Sequence, residues 1–165
     1  MDEKLLALGL QVGNLLKARG ETVAVAESST GGLIAAALLA VPGASVYFLG
    51  GAVVYTRRAR QLLMDLPNPA VTGMRSASEP YALLLAQTSC KRFEATWGIS
   101  ETGATGPSGN PYGDPAGHSC LAVAGPIEKV ITLRTGQSDR LHNMVAFACA
   151  SLSLFAQVLA EKGSQ

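Results

Sequence analysis

Glu27-Ser28-Ser29-Thr30-Gly31-Gly32 sets a carboxyl group, three hydroxyls and two glycines between a short β-branched run and an Ala/Leu-rich segment. That order predicts a strand running into a helix N-terminus, where unpaired backbone N–H groups and a positive dipole suit an anion or a developing oxyanion. Gly31 and Gly32 let a ligand approach the backbone, and a serine held there is a candidate nucleophile. The plainer reading, that the hydroxyls cap the helix and the glycines make the turn, stands beside it. The pattern is neither G-x-S-x-G nor a Walker loop. A second candidate is Thr102-Gly103-Ala104-Thr105-Gly106-Pro107-Ser108-Gly109, with glycines at three-residue spacing and hydroxyls between them. It opens an irregular stretch, Thr102–Gly117, of about 16 residues, longer than the usual ~4–6 and suited to wrapping polar ligand atoms. A third is Tyr55 with Arg57, Arg58 and Arg60, a phosphate or carboxylate fork or a solvated basic turn. Asp139-Arg140 reads as a helix cap with a charge that can reach a phosphate. His118 and His142 have no partner at metal-ligand spacing, so no metal is expected. Trp97 reads as core.

These residues need elements to hold them. Leu5, Leu6, Leu8, Val12, Leu15 and Leu16 recur at helical spacing, stopped by Gly20. Thr22–Ala26 reads as a buried strand, about Gly31–Ala40 as a helix, and Val46–Tyr55 as a second buried strand. A basic helical turn follows near Arg57–Met64, and Pro67-Asn68-Pro69 predicts a loop. Pro80 suits the first turn of a helix from Ser78 to about Glu94. Thr96–Glu101 reads as a strand. Ser119–Ala124 and Lys129–Arg134 read as antiparallel strands joined at Gly125-Pro126, and a last helix runs from near Asp139 to before Gly163. Strands alternating with helices predict an α/β fold: a three-layer α/β/α sandwich on a mixed, mostly parallel central sheet. Its ligands would sit outside the carboxyl ends of the strands. The whole chain, residues 1–165, reads as one domain.

Composition bounds the partners. The chain is 48% hydrophobic but only 15% charged, against ~25% charged in a typical domain. So thin a polar surface predicts that apolar surface is covered by another copy, as a homodimer or higher homo-oligomer. A net charge of +1 gives no field for a nucleic-acid backbone. Cys90, Cys120 and Cys149, widely spaced, read as reduced thiols of a cytoplasmic protein. Met1-Asp2-Glu3-Lys4 does not look like the start of a signal peptide. No charged residue lies between Glu27 and Arg57, but Pro42-Gly43 and Gly50-Gly51 interrupt that run, so no membrane span is expected there.

In this order the pieces resemble the CinA C-terminal domain family, the nicotinamide-mononucleotide deamidases. Ala26–Gly32 is similar to that family's A-E-S-C-T-G-G, with Ser29 in place of the Cys. Val41–Ser45 resembles its next turn, Gly50–Tyr55 its strand ending in Tyr, and Ala77-Ser78-Glu79 its V-S-E. Thr102–Pro107 resembles S/T-G-I-A-G-P, and Asp139-Arg140 its G-D-R. The resemblance implies hydrolysis of a nucleotide's carboxamide to a carboxylate and ammonia, with Ser28 as nucleophile and no cofactor. It implies that the loop residues Thr102, Gly103, Ala104, Thr105 and Gly106, and Arg140, hold the nucleotide; read as an enzyme, the chain would also bind its substrate through Ser29, Thr30, Gly31, Gly32 and Arg60, with Arg60 and Arg140 on the phosphate. In one respect the chain departs: Arg60 stands where the family's Y-S-N-E-A-K ends in Lys. Arg stays protonated in proteins and cannot act as a base. Tyr55 or Glu27 would then have to substitute for the Lys. Otherwise the chain would be a weak or silent module that binds a nucleotide-like ligand. The last helix also lacks the family's second Arg, with Asn143-Met144 in that region.

Overall fold

The computed structural model describes residues 1–163, so Ser164 and Gln165 of the expected 1–165 domain lie outside the described residues. The chain opens on α1 (Glu3–Arg19), which starts where the Asp2 carboxyl accepts the Leu5 N–H and stops at Gly20 in the left-handed conformation. β1 (Val23–Glu27) is buried throughout, as a strand written as a continuous apolar run should be. α2 (Leu33–Leu39) and β2 (Phe48–Val53) follow, then α3 (Arg57–Met64) and α4 (Glu79–Arg92). β3 (Trp97–Ala104), β4 (His118–Ala124), β5 (Lys129–Arg134) and α5 (Arg140–Gly163) complete the chain.

The sheet has the order β2-β1-β3-β4-β5. β1 lies parallel to β2 and β3, whereas β4 is antiparallel to β3 and β5. Four strands therefore run one way and β4 opposes them, giving the mixed α/β sheet expected. One face carries Val23, Val25, Trp97, Ile99, Leu121 and Val123 into a core with residues of α1, α2 and α5. The other face carries smaller side chains, Ala26 toward Met64 and Leu85, and Cys120, Ala122 and Ala124 toward Ala82 and Ala86. These small residues let α4 lie close to the sheet. At Gly98 a Cβ would stand 1.9 Å from the Ala86 carbonyl oxygen. Helices thus cover both faces of the sheet. α5 is long and apolar enough to cross a membrane by length and composition, but 61% of its most apolar window is buried inside the fold.

Four expectations shift. Val46 belongs to a single 3₁₀ turn, and β2 is a half-exposed edge strand with β1 as its one partner, not a buried one. Asn68–Val71, expected as loop, forms a short 3₁₀ helix. β3 continues through Thr102, Gly103 and Ala104 because β4 pairs with them, which shortens the irregular stretch. The last helix includes Gly163.

Candidate functional site

Strand periodicity decides what meets at the carboxyl end of the sheet. Glu27 pairs directly with Glu101, so the end of β1 lies beside β3, which runs three residues further to Ala104. Both glutamates share the face of Val25 and Ile99 because side chains alternate along a strand. Each closes an apolar run with a carboxyl group that is almost wholly buried, 1% exposed for Glu27 and 0% for Glu101. Buried carboxyls need donors, and the 28–35 segment supplies them.

Glu27 serves α2. Its Oε1 accepts the Ala35 N–H (3.0 Å), and its Oε2 accepts the Ile34 N–H (3.1 Å) and the Thr30 hydroxyl (2.7 Å). The residue at the N-cap position is Gly32, which has no side-chain hydrogen bond to give. The expectation that Ser28, Ser29 or Thr30 caps this helix is therefore corrected: the cap comes from the strand end. These amides are consequently not free for an anion.

Glu101 gathers the hydroxyls instead. Its Oε1 accepts Ser29 Oγ–H at 2.5 Å and Ser119 Oγ–H at 3.1 Å. Its Oε2 accepts the backbone N–H of Thr30 (2.9 Å) and Ser28 (3.1 Å), with Thr30 Oγ1 at 3.0 Å. Burial pushes the Glu101 carboxyl above its usual range, opposed by the hydrogen bonds from Ser29, Thr30 and Ser28. Gly31 and Gly32 take left-handed conformations (φ 63° and 103°), which lets the turn fold over Glu101.

In front of this network lies a cleft of about 270 Å³ walled by Ser29, Tyr55, Gly103, Ala104, Thr105, Gly106, Ser108, Gly109, Asn110 and Arg140. Arg140 spans its rim, donating from Nη1 to the Gly106 carbonyl (2.7 Å) and from Nη2 to Tyr55 Oη (3.0 Å). It forms no ion pair with a carboxylate among the described residues. Thr105 is 2% exposed and its hydroxyl has no hydrogen-bond partner among the described residues. A buried hydroxyl left unpaired is unusual. Asn143 locks the loop to α5, donating to the Thr105 (2.8 Å) and Gln137 (2.9 Å) carbonyls. Further along the loop, Arg75 forks onto Asp114 (2.5 and 3.1 Å) and holds that carboxyl below its usual range.

The structure thus brings Ser29, Tyr55, Gly103, Ala104, Thr105, Gly106 and Arg140 to one cleft. It leaves others out. The half-buried Ser28 is bound through its N–H, its hydroxyl makes no hydrogen bond among the described residues, and it is not on the cleft wall. Glu27 and Thr30 stand behind the wall. Thr102 turns its hydroxyl to the Ala77 N–H (3.1 Å). Gly31 faces Met144, whose Cε would lie 3.2 Å from an added Cβ. Arg60, expected at the ligand, is 5% exposed and spends Nε on the Leu66 carbonyl (2.9 Å) and Nη2 on Asn68 (2.5 Å). It clasps the chain after α3 and is absent from the cleft. Sequence reasoning missed Glu101, Ser119 and the locking role of Asn143. The available signal was that V-A-V-A-E and W-G-I-S-E each carry a Glu after a largely apolar strand segment.

The CinA C-terminal domain family matches residues 6–159 of the chain. A CinA-like protein of Anaeromyxobacter sp. (strain K) is 40% identical over 139 residues, covering 83% of this chain and 34% of that protein. One from Synechococcus sp. (strain CC9902) is 41% identical over 124 residues, 75% of this chain and 29% of that protein. The chain therefore spans about a third of the length of these curated relatives. Among solved structures, the competence/damage inducible protein CihA from Agrobacterium tumefaciens is 27% identical with a TM-score of 0.86, covering 97% of this chain and 98% of that one. A CinA superfamily protein from Klebsiella pneumoniae, at 23% identity and a TM-score of 0.88, covers 95% and 98% and shares the fold.

Proposed function

We propose that this chain, which belongs to the CinA C-terminal domain family, hydrolyses the carboxamide of a pyridine nucleotide to the carboxylate and ammonia in the cleft outside β1 and β3. The observation that carries this reading is that one cleft holds a serine backed by a carboxyl group and a cation with no acidic partner. Arg140 suits a phosphate, for which a guanidinium fork is the matching donor set. Gly103 and Gly106 bring the loop close to His118–Ser119 and to Ser138, which shapes the cleft wall, and Thr105 has a hydroxyl to offer the ligand.

A serine of the 28–30 turn attacks the amide carbon. Tyr55 Oη accepts from Arg140, so its own proton is free to donate to the carbonyl oxygen as negative charge develops there. The α2 amides cannot take that role because Glu27 holds them.

One observation favours a second reading, a module that binds such a nucleotide without turning it over. Arg60 stands at the position that the resemblance gives to Lys, is buried, and is committed to Leu66 and Asn68. Incubation with nicotinamide mononucleotide, followed by ammonia release and calorimetric binding, separates the two. Ammonia release supports the hydrolase, and binding without ammonia supports the silent module. Absence of both refutes the shared cleft reading.

A further inference from the structure

We infer that Arg75 is a positioning residue for ligand binding: by clasping Asp114 it sets the far wall of the cleft, residues 108–110, before a ligand arrives. The inference rests on the reading of that cleft as the nucleotide site. Ser108, Gly109 and Asn110 form the wall on this side, and Arg75 is not among the residues that line it. Its effect therefore passes through the loop and not through a contact with the ligand.

Three observations carry it. The first is a knot behind the wall. Asn110 Oδ1 accepts the N–H groups of Tyr112 (3.0 Å) and Asp114 (3.1 Å), and its Nδ2 donates to Asp114 Oδ2 (2.8 Å). The Asn110 N–H donates in turn to the Asp114 carbonyl (3.1 Å). A Cβ on Gly109 would stand 2.1 Å from that same carbonyl oxygen, so Asp114 cannot move without moving Gly109 and Asn110. The second is the clasp. The Arg75 guanidinium forks onto both Asp114 carboxylate oxygens (2.5 and 3.1 Å) and lies 5.4 Å from the centre of the Tyr112 ring. Such a fork fixes orientation as well as distance. The third is the post from which Arg75 reaches. Two residues on, Ala77 donates its N–H to Thr102 Oγ1 on β3 (3.1 Å), and its carbonyl oxygen lies 2.8 Å from His118 Nε2 on β4. Ala77 has a left-handed φ of 55°, which a residue with a Cβ keeps only where its surroundings enforce it. The segment bearing Arg75 is thus tied to the sheet.

The chain of contacts runs from sheet to Ala77, from Arg75 to Asp114, and from Asp114 to the residues that face the ligand. A wall held in place beforehand spares the ligand the cost of ordering it. Without the clasp only a fraction of molecules has the wall in position, and the apparent Kd rises by the inverse of that fraction. The Arg75 side chain is 41% exposed and that of Asp114 only 10%. Solvent therefore screens the pair in part, and its loss should weaken binding by about 3–10-fold. The 28–30 turn is held by Glu27 and Glu101 instead, so the clasp bears on affinity and not on the rate of the chemical step.

The test uses the full chain. Hydrogen exchange without ligand reads the clasp itself: in Arg75→Gln the amides of Tyr112 and Asp114 should exchange about 10-fold faster, while those of β1, β3 and β4 keep their wild-type rates. A residue that only stabilised the fold would quicken all of them. Calorimetry with nicotinamide mononucleotide reads the consequence. Kd should rise about 3–10-fold in Arg75→Gln, and Arg75→Lys, which keeps the charge but not the fork, should fall between. Adding Arg75→Gln to Asp114→Asn should change Kd by less than about twofold, because the two residues serve one interaction. In ammonia release the same loss should appear in KM, with kcat held within about twofold. Unchanged exchange at Tyr112 and Asp114, exchange that quickens across the whole sheet, or a freed loop with unaltered affinity overturns the proposal. Wild type that does not bind the nucleotide sinks the proposed ligand, and the exchange pattern then decides the clasp alone.

Discussion

Replacing Glu27 separates a structural carboxyl from a catalytic one. Its position at the mouth of β1 suggests chemistry, but its oxygens are committed to the Ile34 and Ala35 N–H groups and to the Thr30 hydroxyl. In Glu27→Ala the Thr30 hydroxyl can turn to Glu101 Oε2, 3.0 Å away. Two N–H groups are then orphaned at a helix start. An unsatisfied buried donor costs ~1–3 kcal/mol, and loss of a cap ~0.5–2 kcal/mol, so the variant should lose about 2–4 kcal/mol. For a chain of this size that is a fall in Tm of roughly 5–15 °C. Glu27→Gln retains one carbonyl oxygen near the amides and should lose about 1 kcal/mol. Scanning fluorimetry with urea titration reads both, and ligand affinity of the folded fraction should change less than threefold. A Glu27→Gln protein with unchanged Tm and abolished ammonia release would refute this reasoning and return Glu27 to the reaction.

Other consequences follow from the same contacts. Arg60→Lys cannot reproduce both contacts of the guanidinium, so it should cost ~1–2 kcal/mol of stability by urea titration. It should leave ligand affinity unaltered, whereas restored turnover would place Arg60 at the reaction after all. Arg140→Gln should weaken binding of a phosphate-bearing ligand about 10-fold or more by calorimetry, and should flatten its salt dependence, while affinity for the dephosphorylated nucleoside stays the same. Gly98→Ala, whose Cβ would meet the Ala86 carbonyl at 1.9 Å, should destabilise by ~3 kcal/mol or more, since backbone must move, and denaturant midpoints check this. Asp114 is held below its ordinary value of 3.8 chiefly by Arg75. Its contribution is therefore complete above that value and lost as pH falls through the lower folded value. Asp114→Asn should abolish that part of the acid transition in a pH-dependent melting series.

The layer arrangement was legible because strand and helix periods differ clearly in this chain. Val23, Val25, Ile99, Leu121 and Val123 write buried strands, and Gly20 and Pro80 mark helix limits where the structure has them. The cleft was half legible. The Thr30–Gly32 turn and the Gly103–Gly106 loop advertise themselves by glycines, and the adjacency of β1 and β3 brings them together. Contacts between distant residues were not legible. That Ser29 meets a carboxyl from residue 101 depends on strand register. Arg60 turns inward because Leu66 and Asn68 offer acceptors after α3, and nothing in the local pattern of Arg57, Arg58 and Arg60 reveals which of them is buried. The apolar composition of β2 conceals that it lies at the edge of the sheet.

The turn after β1 and the loop after β3 wall one cleft, and the proposed function requires a nucleotide to sit in it. A crystal structure of the full chain with nicotinamide mononucleotide tests it most directly. The carboxamide should lie against the 28–30 turn and the phosphate on Arg140, with the ring beside Gly103–Gly106. Density for the nucleotide in the groove near Asp2, His142 and Cys149 instead, or an unliganded cleft at saturating nucleotide, would contradict it.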